Sequence, residues 1–128
     1  MKKLFLSIAI ISFALACGRS KEAKWIEIKD VPALKLYIDQ NSIKRVSGNI
    51  ARAWFTFSYE QPQKIGSKLF QKAVSYDELD CSKKTLQIIQ VKFYFTDGTS
   101  QTLSGKLNSR NIGPGTPAEF EYRYLCEK

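Results

Sequence analysis

The most informative absence in this sequence is histidine. None of the 128 residues is a histidine, which excludes catalysis by Ser-His-Asp triads and by cysteine–histidine pairs. The same absence excludes zinc sites that need imidazole ligands, and three cysteines are too few for a four-sulfur site. No paired carboxylates, nucleophile elbow or metal-ligand cluster stands out in the sequence. The chain is therefore predicted to be a non-enzymatic protein without a metal or other cofactor.

Long apolar runs are also scarce, and the longest one is too short to cross a bilayer as a helix. Residues 4–16 are apolar or small without a break, whereas a spanning helix needs roughly 20 residues. Lys2 and Lys3 precede this run, and a positive start before a short apolar run is typical of a secretory signal. Residues 1–16 are therefore predicted to be a signal peptide that is removed on export.

The end of the signal resembles a bacterial lipobox. Ala14-Leu15-Ala16 stands directly before Cys17, and in a lipobox the cysteine after the small residue receives diacylglycerol. The alternative is ordinary cleavage after Ala16, which would leave Cys17 as a free N-terminal thiol. Both interpretations cut the chain before Cys17, and the lipobox is the preferred one.

The remaining cysteines favour this interpretation. If Cys17 is acylated, Cys81 and Cys126 form an even pair in an exported chain, where a disulfide is the default. Two buried thiols are the alternative. A bridge across these 45 positions stabilises the fold by roughly 4 kcal/mol in the loop-entropy model.

The chain is basic, with a formal net charge of +8, and loss of Lys2 and Lys3 leaves +6. In an exported protein this charge indicates anionic lipid headgroups, polyanionic sugars or acidic proteins as partners rather than nucleic acid. Solubility alone is the competing explanation. Residues 17–24 are predicted to form a lipidated tether that holds the domain, residues 25–128, within about 25 Å of its membrane.

Alternating apolar and polar residues predict an antiparallel sheet. The strongest signal is residues 50–59, and Asp97-Gly98 predicts a tight turn after another long strand. Pro62 to Gly66 is predicted to interrupt the chain, and short turns between strands imply a meander. The predicted strands cover residues 25–28, 34–38, 50–59, 69–76, 86–96 and 100–103. One face of the fifth strand is predicted to carry Ile89, Val91, Phe93 and Phe95.

The C-terminus changes to helical periodicity. Thr116-Pro117-Ala118-Glu119 has the pattern of a capping box with proline at the first helical position. Phe120 and Tyr124 recur at helical spacing and predict a closing helix of about ten residues. A bridge from Cys126 would pin this helix to the segment that carries Cys81. The predicted fold class is α+β, an antiparallel β-sheet meander with a C-terminal helix pinned by a disulfide.

Two side-chain groups are candidates for binding. Asp77, Glu78 and Asp80 beside Cys81 could hold Ca²⁺ through carboxylate oxygens, but they lack the spacing of a calcium loop, and a solvated bend is the preferred interpretation. The chain is also rich in Tyr and Trp, which interfaces favour. Most of these aromatic residues are predicted to lie in the core and the others in an exposed patch: Tyr37, Trp54, Tyr76, Tyr94, Tyr122 and Tyr124.

The order of several short motifs resembles the surface-adhesin protein E-like lipoproteins of Gram-negative bacteria. No single motif is specific, but together they cover nearly the whole mature chain. They are Trp25, Tyr37-Ile38-Asp39, Ser42-Ile43, Arg45, Trp54, Tyr59, Pro62-Gln63, Asp80-Cys81, Ile112-Gly113-Pro114-Gly115-Thr116-Pro117-Ala118-Glu119 and Cys126.

This resemblance implies an antiparallel sheet with a C-terminal helix tied down by a disulfide. It also implies an outer-membrane lipoprotein without a cofactor, and homodimers. The name-giving member binds host matrix and serum proteins such as laminin, vitronectin and plasminogen, so the predicted function is a non-catalytic binding module, an adhesin at the cell surface. The alternative is a structural envelope lipoprotein that faces the periplasm. Gly18, rather than Asp, after Cys17 favours the outer membrane.

Overall fold

The computed structural model describes residues 22–107 and 109–127. The predicted signal peptide 1–16, the predicted lipidation site Cys17 and the first part of the tether lie outside these ranges. Within them, no helix combines the length and apolar character needed to cross a membrane.

The described residues form one antiparallel sheet and one α-helix. The strands follow one another across the sheet in the order β1-β2-β4-β5-β6-β7, while β3 pairs with β4 and β8 pairs with β6. The predicted meander is therefore confirmed, but with eight strands and one helix the fold is richer in sheet than a balanced α+β protein. The strands are β1 (Trp25–Ile28), β2 (Leu34–Asp39), β3 (Lys44–Arg45), β4 (Ile50–Ile65), β5 (Lys68–Asp80), β6 (Thr85–Phe95), β7 (Ser100–Ser104) and β8 (Arg110–Asn111), a 3-10 helix covers Gln40–Ser42, and α1 covers Pro117–Cys126.

The predicted interruption at Pro62 to Gly66 is wrong. β4 continues through Pro62 to Ile65 and turns only at Gly66, whose φ of 63° suits glycine. The pairing of β4 with β5 shifts between Ser58 and Gln63. Proline lacks an N–H and is tolerated at such irregularities, so Pro62 marks a bulge inside one long strand.

A second irregularity changes the predicted face of β6. Tyr76 pairs with Gln90, but the next residue, Asp77, pairs with Ile88, so Ile89 is an extra residue in β6. A bulge of this kind reverses the alternation of side chains on its two sides. Ile88 therefore packs against the core, and Ile89 does not share the face predicted for it with Val91.

The helix packs on the face of the sheet that carries the alternating apolar residues. Leu36, Ile38, Ala53, Phe55 and Leu79 are fully buried on this face. On the helix, Phe120 and Tyr124 are only partly buried, and the positions that become buried are Glu121 and Leu125. The predicted helix is thus present, but its most buried stripe is shifted by one residue and includes a carboxyl group.

The helix begins without the predicted capping box. Thr116 is the N-cap residue but donates its hydroxyl to the carbonyl of Gly113 at 2.7 Å instead of capping the helix. Glu119 accepts a hydrogen bond from the backbone N–H of Gly115 at 2.9 Å. The loop before the helix, rather than the first helical turn, receives both side-chain bonds.

The C-terminal end of the helix is attached to the sheet at several points. Cys81 and Cys126 form a disulfide with their Cα atoms 5.5 Å apart. The Tyr122 hydroxyl donates to the carbonyl of Cys81 at 3.2 Å, and Arg45 donates to the carbonyl of Leu125 at 3.2 Å. The disulfide thus joins the last helical turn to the end of β5.

Loss of this disulfide is expected to destabilise the fold. A Cys126→Ser variant should lower the free energy of unfolding by about 2–5 kcal/mol, because the unfolded chain regains the conformational freedom that the disulfide removes by closing a loop. Urea unfolding followed by circular dichroism measures the change. A Ser82→Ala variant, altered next to Cys81 with the bridge intact, is the control. An unchanged midpoint for Cys126→Ser would contradict the expectation.

Candidate functional site

The face of the sheet opposite α1 is the candidate interaction surface, and we call it the open face. Along each strand, residues of the open face alternate with residues of the core. In β4, for example, Arg52 and Trp54 lie between the buried Ala51, Ala53 and Phe55. The register of the sheet places the following side chains on this face: Glu27, Lys35, Tyr37, Lys44, Arg52, Trp54, Thr56, Lys72, Val74, Tyr76, Glu78, Asp80, Gln90, Lys92, Tyr94 and Thr102.

Aromatic rings run across the middle of the open face. Trp54 and Tyr76 are cross-strand partners, and their rings stack with centroids 4.9 Å apart and planes 30° apart. On β6, the ring of Tyr94 lies under two ammonium groups, those of Lys72 at 5.0 Å and Lys92 at 4.9 Å. Rings that stack on each other or lie under ammonium groups are held in place and offer both apolar and polar contacts, which suits a binding surface.

The open face carries an excess of positive charge. Arg52 forms an ion pair with Glu78, with Nη2 and Oε1 2.8 Å apart. In residues 22–107 and 109–127, the four lysines of this face are in no ion pair within 4 Å. They are Lys35, Lys44, Lys72 and Lys92. The surface is therefore suited to an acidic partner.

The distribution of the aromatic residues differs from the predicted one. Four of the six candidates, Tyr37, Trp54, Tyr76 and Tyr94, lie half-buried on the open face. Only Tyr122 and Tyr124 pack against the core. The sequence prediction that most of them fill the core was wrong, because the strand register, which decides the face of each residue, was assigned only for single strands.

The three carboxylates of the candidate calcium site are not brought together. They lie in β5 and not in a bend: Asp77 points into the core, Glu78 lies on the open face, and Asp80 lies at the end of the strand. Asp80 accepts hydrogen bonds from the backbone N–H groups of Ser82 and Lys83, both at 3.0 Å, and these bonds lower its pKa. In the described part of the chain, no group of three potential ligands could hold a metal ion.

A pair of buried carboxyl groups lies between the helix and the sheet. Asp77 is 2% exposed and Glu121 is 1% exposed. The hydroxyl of Ser75 donates to Asp77 Oδ1, and the carboxyl group of Glu121 lies close enough to interact with that of Asp77. Burial raises the pKa of Asp77, and burial together with the neighbouring Asp77 raises the pKa of Glu121 well above its usual value. The same two carboxylates and burial raise the pKa of Tyr59.

Sequence reasoning missed this pair, although a signal for it exists. Ala118, Glu121 and Leu125 follow the i, i+3, i+7 pattern of one helix face. Asp77 alternates with Ser75 and Leu79 along a strand with one buried side. Both acids therefore occupy positions that the periodicity predicts to be buried. They were missed because carboxylates usually lie in solvent.

The family model for surface-adhesin protein E matches residues 25–127 of this chain. The chain therefore belongs to that family, whose description supports the role of a non-enzymatic surface adhesin. None of the curated proteins shows significant sequence similarity to the chain.

Solved structures of Haemophilus influenzae protein E share the fold. Crystal form II of that protein is 17% identical, with a TM-score of 0.57 over 91% of this chain and 97% of the other. The protein from non-typeable Haemophilus influenzae is 18% identical, with a TM-score of 0.53 over 88% of this chain and 82% of the other. At this level of identity the likeness shows the fold alone.

The buried acid pair predicts an unusual pH dependence of stability. The folded chain keeps a proton on the pair that the unfolded chain releases above about pH 4.5, the ordinary value for Glu121. The free energy of unfolding should therefore fall as the pH rises through the window up to the folded pKa. A Glu121→Gln variant has no titratable proton at this position, and its amide N–H replaces the carboxyl O–H as a hydrogen-bond donor. It should gain about 1.4 kcal/mol over the natural chain per pH unit in that window.

Urea unfolding of both proteins between pH 4 and pH 8 measures this difference. Glu127→Gln, an exposed substitution just after the helix, is the matched control and should show a constant difference at all pH values. A constant difference for Glu121→Gln as well would show that the pair is ionised in the folded protein.

Proposed function

We propose that this member of the surface-adhesin protein E family is an outer-membrane lipoprotein that binds host matrix or serum proteins without catalysis. The open face is its binding surface. The observation that carries the proposal is the combination of the stacked Trp54 and Tyr76 with lysines that have no carboxylate partner among the described residues. The family description supports the adhesive role.

The chemistry of the open face favours an acidic segment of a host protein. The half-buried Trp54, Tyr76 and Tyr94 offer apolar area at a small entropic cost, because their rings are already held by neighbouring side chains. Lys72 and Lys92 attract carboxylates over distances of about 8 Å at physiological salt. The aromatic residues thus supply the close contacts of the bound state, and the surrounding lysines attract the acidic partner.

The proposed anchor is a diacylglycerol group on Cys17. The sheet begins a few residues after Cys17: the backbone N–H of Lys24 donates to Asp39 Oδ1 at 2.8 Å, and β1 starts at Trp25. Asn41 also donates to the carbonyl of Glu22 at 2.7 Å. The tether between the lipid and the first fixed residue is therefore short, and the domain stays near the membrane.

Reversal of charge on the open face is expected to weaken binding to matrix proteins. The double variant Lys72→Glu/Lys92→Glu should bind at least about tenfold more weakly than the natural chain, equivalent to about 1.4 kcal/mol, because two attractive charges become repulsive. Surface plasmon resonance on immobilised laminin, vitronectin and plasminogen at two salt concentrations measures the loss.

Lys83→Glu/Lys84→Glu is the matched control, since it changes the net charge equally at exposed positions of the turn between β5 and β6. The ammonium group of Lys84 lies 5.3 Å from the ring centroid of Tyr122, on the helix side of the sheet. Equal weakening by both double variants would assign the effect to net charge. No saturable binding by the natural chain to any of the three proteins would remove matrix adhesion from consideration.

Replacement of Cys17 is expected to release the protein from the membrane. A Cys17→Ser variant cannot receive the lipid and should move from the membrane fraction to the soluble fraction. Protease treatment of intact cells should degrade the natural protein, while a periplasmic marker stays intact. Membrane association of the Cys17→Ser variant would contradict the anchor. Full protection from protease would favour the periplasm-facing envelope lipoprotein.

A further inference from the structure

The space between the helix and the sheet contains a cavity of about 450 Å³. Its walls come from β4, β5 and β6 on one side and from the start of α1 on the other. Four rings line it and contact one another in sequence: Phe57 stacks on Tyr59, Tyr59 meets Phe70 edge-on at 5.8 Å, and Phe70 meets Phe93 edge-on at 4.8 Å. The cavity therefore has a largely aromatic wall.

The buried acid pair also lines this cavity. Both Asp77 and Glu121 belong to its lining, and Glu121 Oε1 has no hydrogen-bond partner in the described part of the chain. A buried polar atom without a partner costs free energy, and native proteins avoid such atoms unless they have a use. The unpartnered oxygen is thus a place for a hydrogen-bond donor that enters from outside the fold.

The charge around the pair favours a cation as that donor. Arg110 lines the cavity and its positive charge acts on both carboxyl groups, but its side chain is exposed. No ion pair within 4 Å that the described residues form includes Asp77 or Glu121. With one proton on the pair, one negative charge remains, and an ammonium group would neutralise it. The faces of the aromatic wall also attract cations. An anionic ligand would be repelled, and an entirely apolar one would leave Oε1 unsatisfied.

We propose that this cavity is a binding site for a small molecule with an apolar or aromatic body and one protonated amine. The ammonium group donates to Glu121 Oε1 and Asp77, and the body packs against the rings of Phe57, Tyr59 and Phe70. Cavities of roughly 150 Å³ already admit a benzene ring, so the observed volume accommodates a ring with an aminoalkyl chain. This site lies on the opposite side of the sheet from the open face and is independent of adhesion.

The probe pair 2-phenylethylamine and 2-phenylethanol tests the proposal, because the two differ in the charged group and share the same ring. Isothermal titration of the purified chain at pH 7 should give a dissociation constant at least about tenfold lower for the amine, as expected for a charge-assisted hydrogen bond. Amide shifts in nitrogen-resolved NMR spectra should change at Ala73 and Ala118, which line the cavity, and not at Trp54.

Three variants complete the test. The double variant Asp77→Asn/Glu121→Gln is similar in shape but carries no negative charge, and it should abolish the preference for the amine while the NMR spectrum stays folded. Ala118→Leu should reduce the affinity for both probes because it fills the cavity. Glu127→Gln should bind as the natural chain does. Equal binding of the two probes, binding of neither, or an undiminished amine preference in Asp77→Asn/Glu121→Gln would overturn the proposal and leave the acid pair with a structural role only.

Discussion

A single ten-residue helix must cover the apolar side of an eight-stranded sheet, and the rest of the structure depends on how that helix is held. A helix of this length is marginal by itself in water, so its position comes from packing and from covalent attachment. Leu125 supplies the buried contact, and the Cys81–Cys126 bridge fixes the last turn against the end of β5. Because the attachment is at the C-terminal end, the opposite end of the helix stands over the cavity, where the packing is less complete.

The two sides of the sheet use their side chains for different purposes. The covered side buries an almost continuous set of apolar residues, with Ser75 and Asp77 as the exceptions, and Glu121 of the helix lies against them. The open side keeps polar and aromatic residues at intermediate exposure, so that its stacked rings remain accessible. One strand often serves both sides, since Asp77 and Glu78 are neighbours in β5 yet face opposite directions. The proposed binding surface and the proposed internal site can therefore be altered separately by mutation.

Much of the architecture could be predicted from the sequence, because the dominant signals are local. Strand alternation and the Thr116-Pro117 start located most strands and the helix, and the even number of remaining cysteines made their pairing the default. The errors share a physical cause, which is that bulges and register depend on partners distant in the chain. β4 continues past Pro62 because it pairs there with β5. The reversed face at Ile89 follows from the pairing of Tyr76 with Gln90 and of Asp77 with Ile88. The acid pair was missed for a different reason: local periodicity places Asp77 and Glu121 on buried faces, but carboxylates are expected in solvent.

The position of β1 at the edge of the sheet determines how mechanical force enters the domain. Any pull on the N-terminal segment reaches the fold through Lys24 and β1, whose residues 25–28 pair with residues 36–39 of β2. When the pull runs along the strand, these hydrogen bonds share the load and yield together. When it runs across the strand, they open one after another at a much smaller force. The direction of a pull on the N-terminal segment, as well as its size, thus decides whether β1 stays in the sheet.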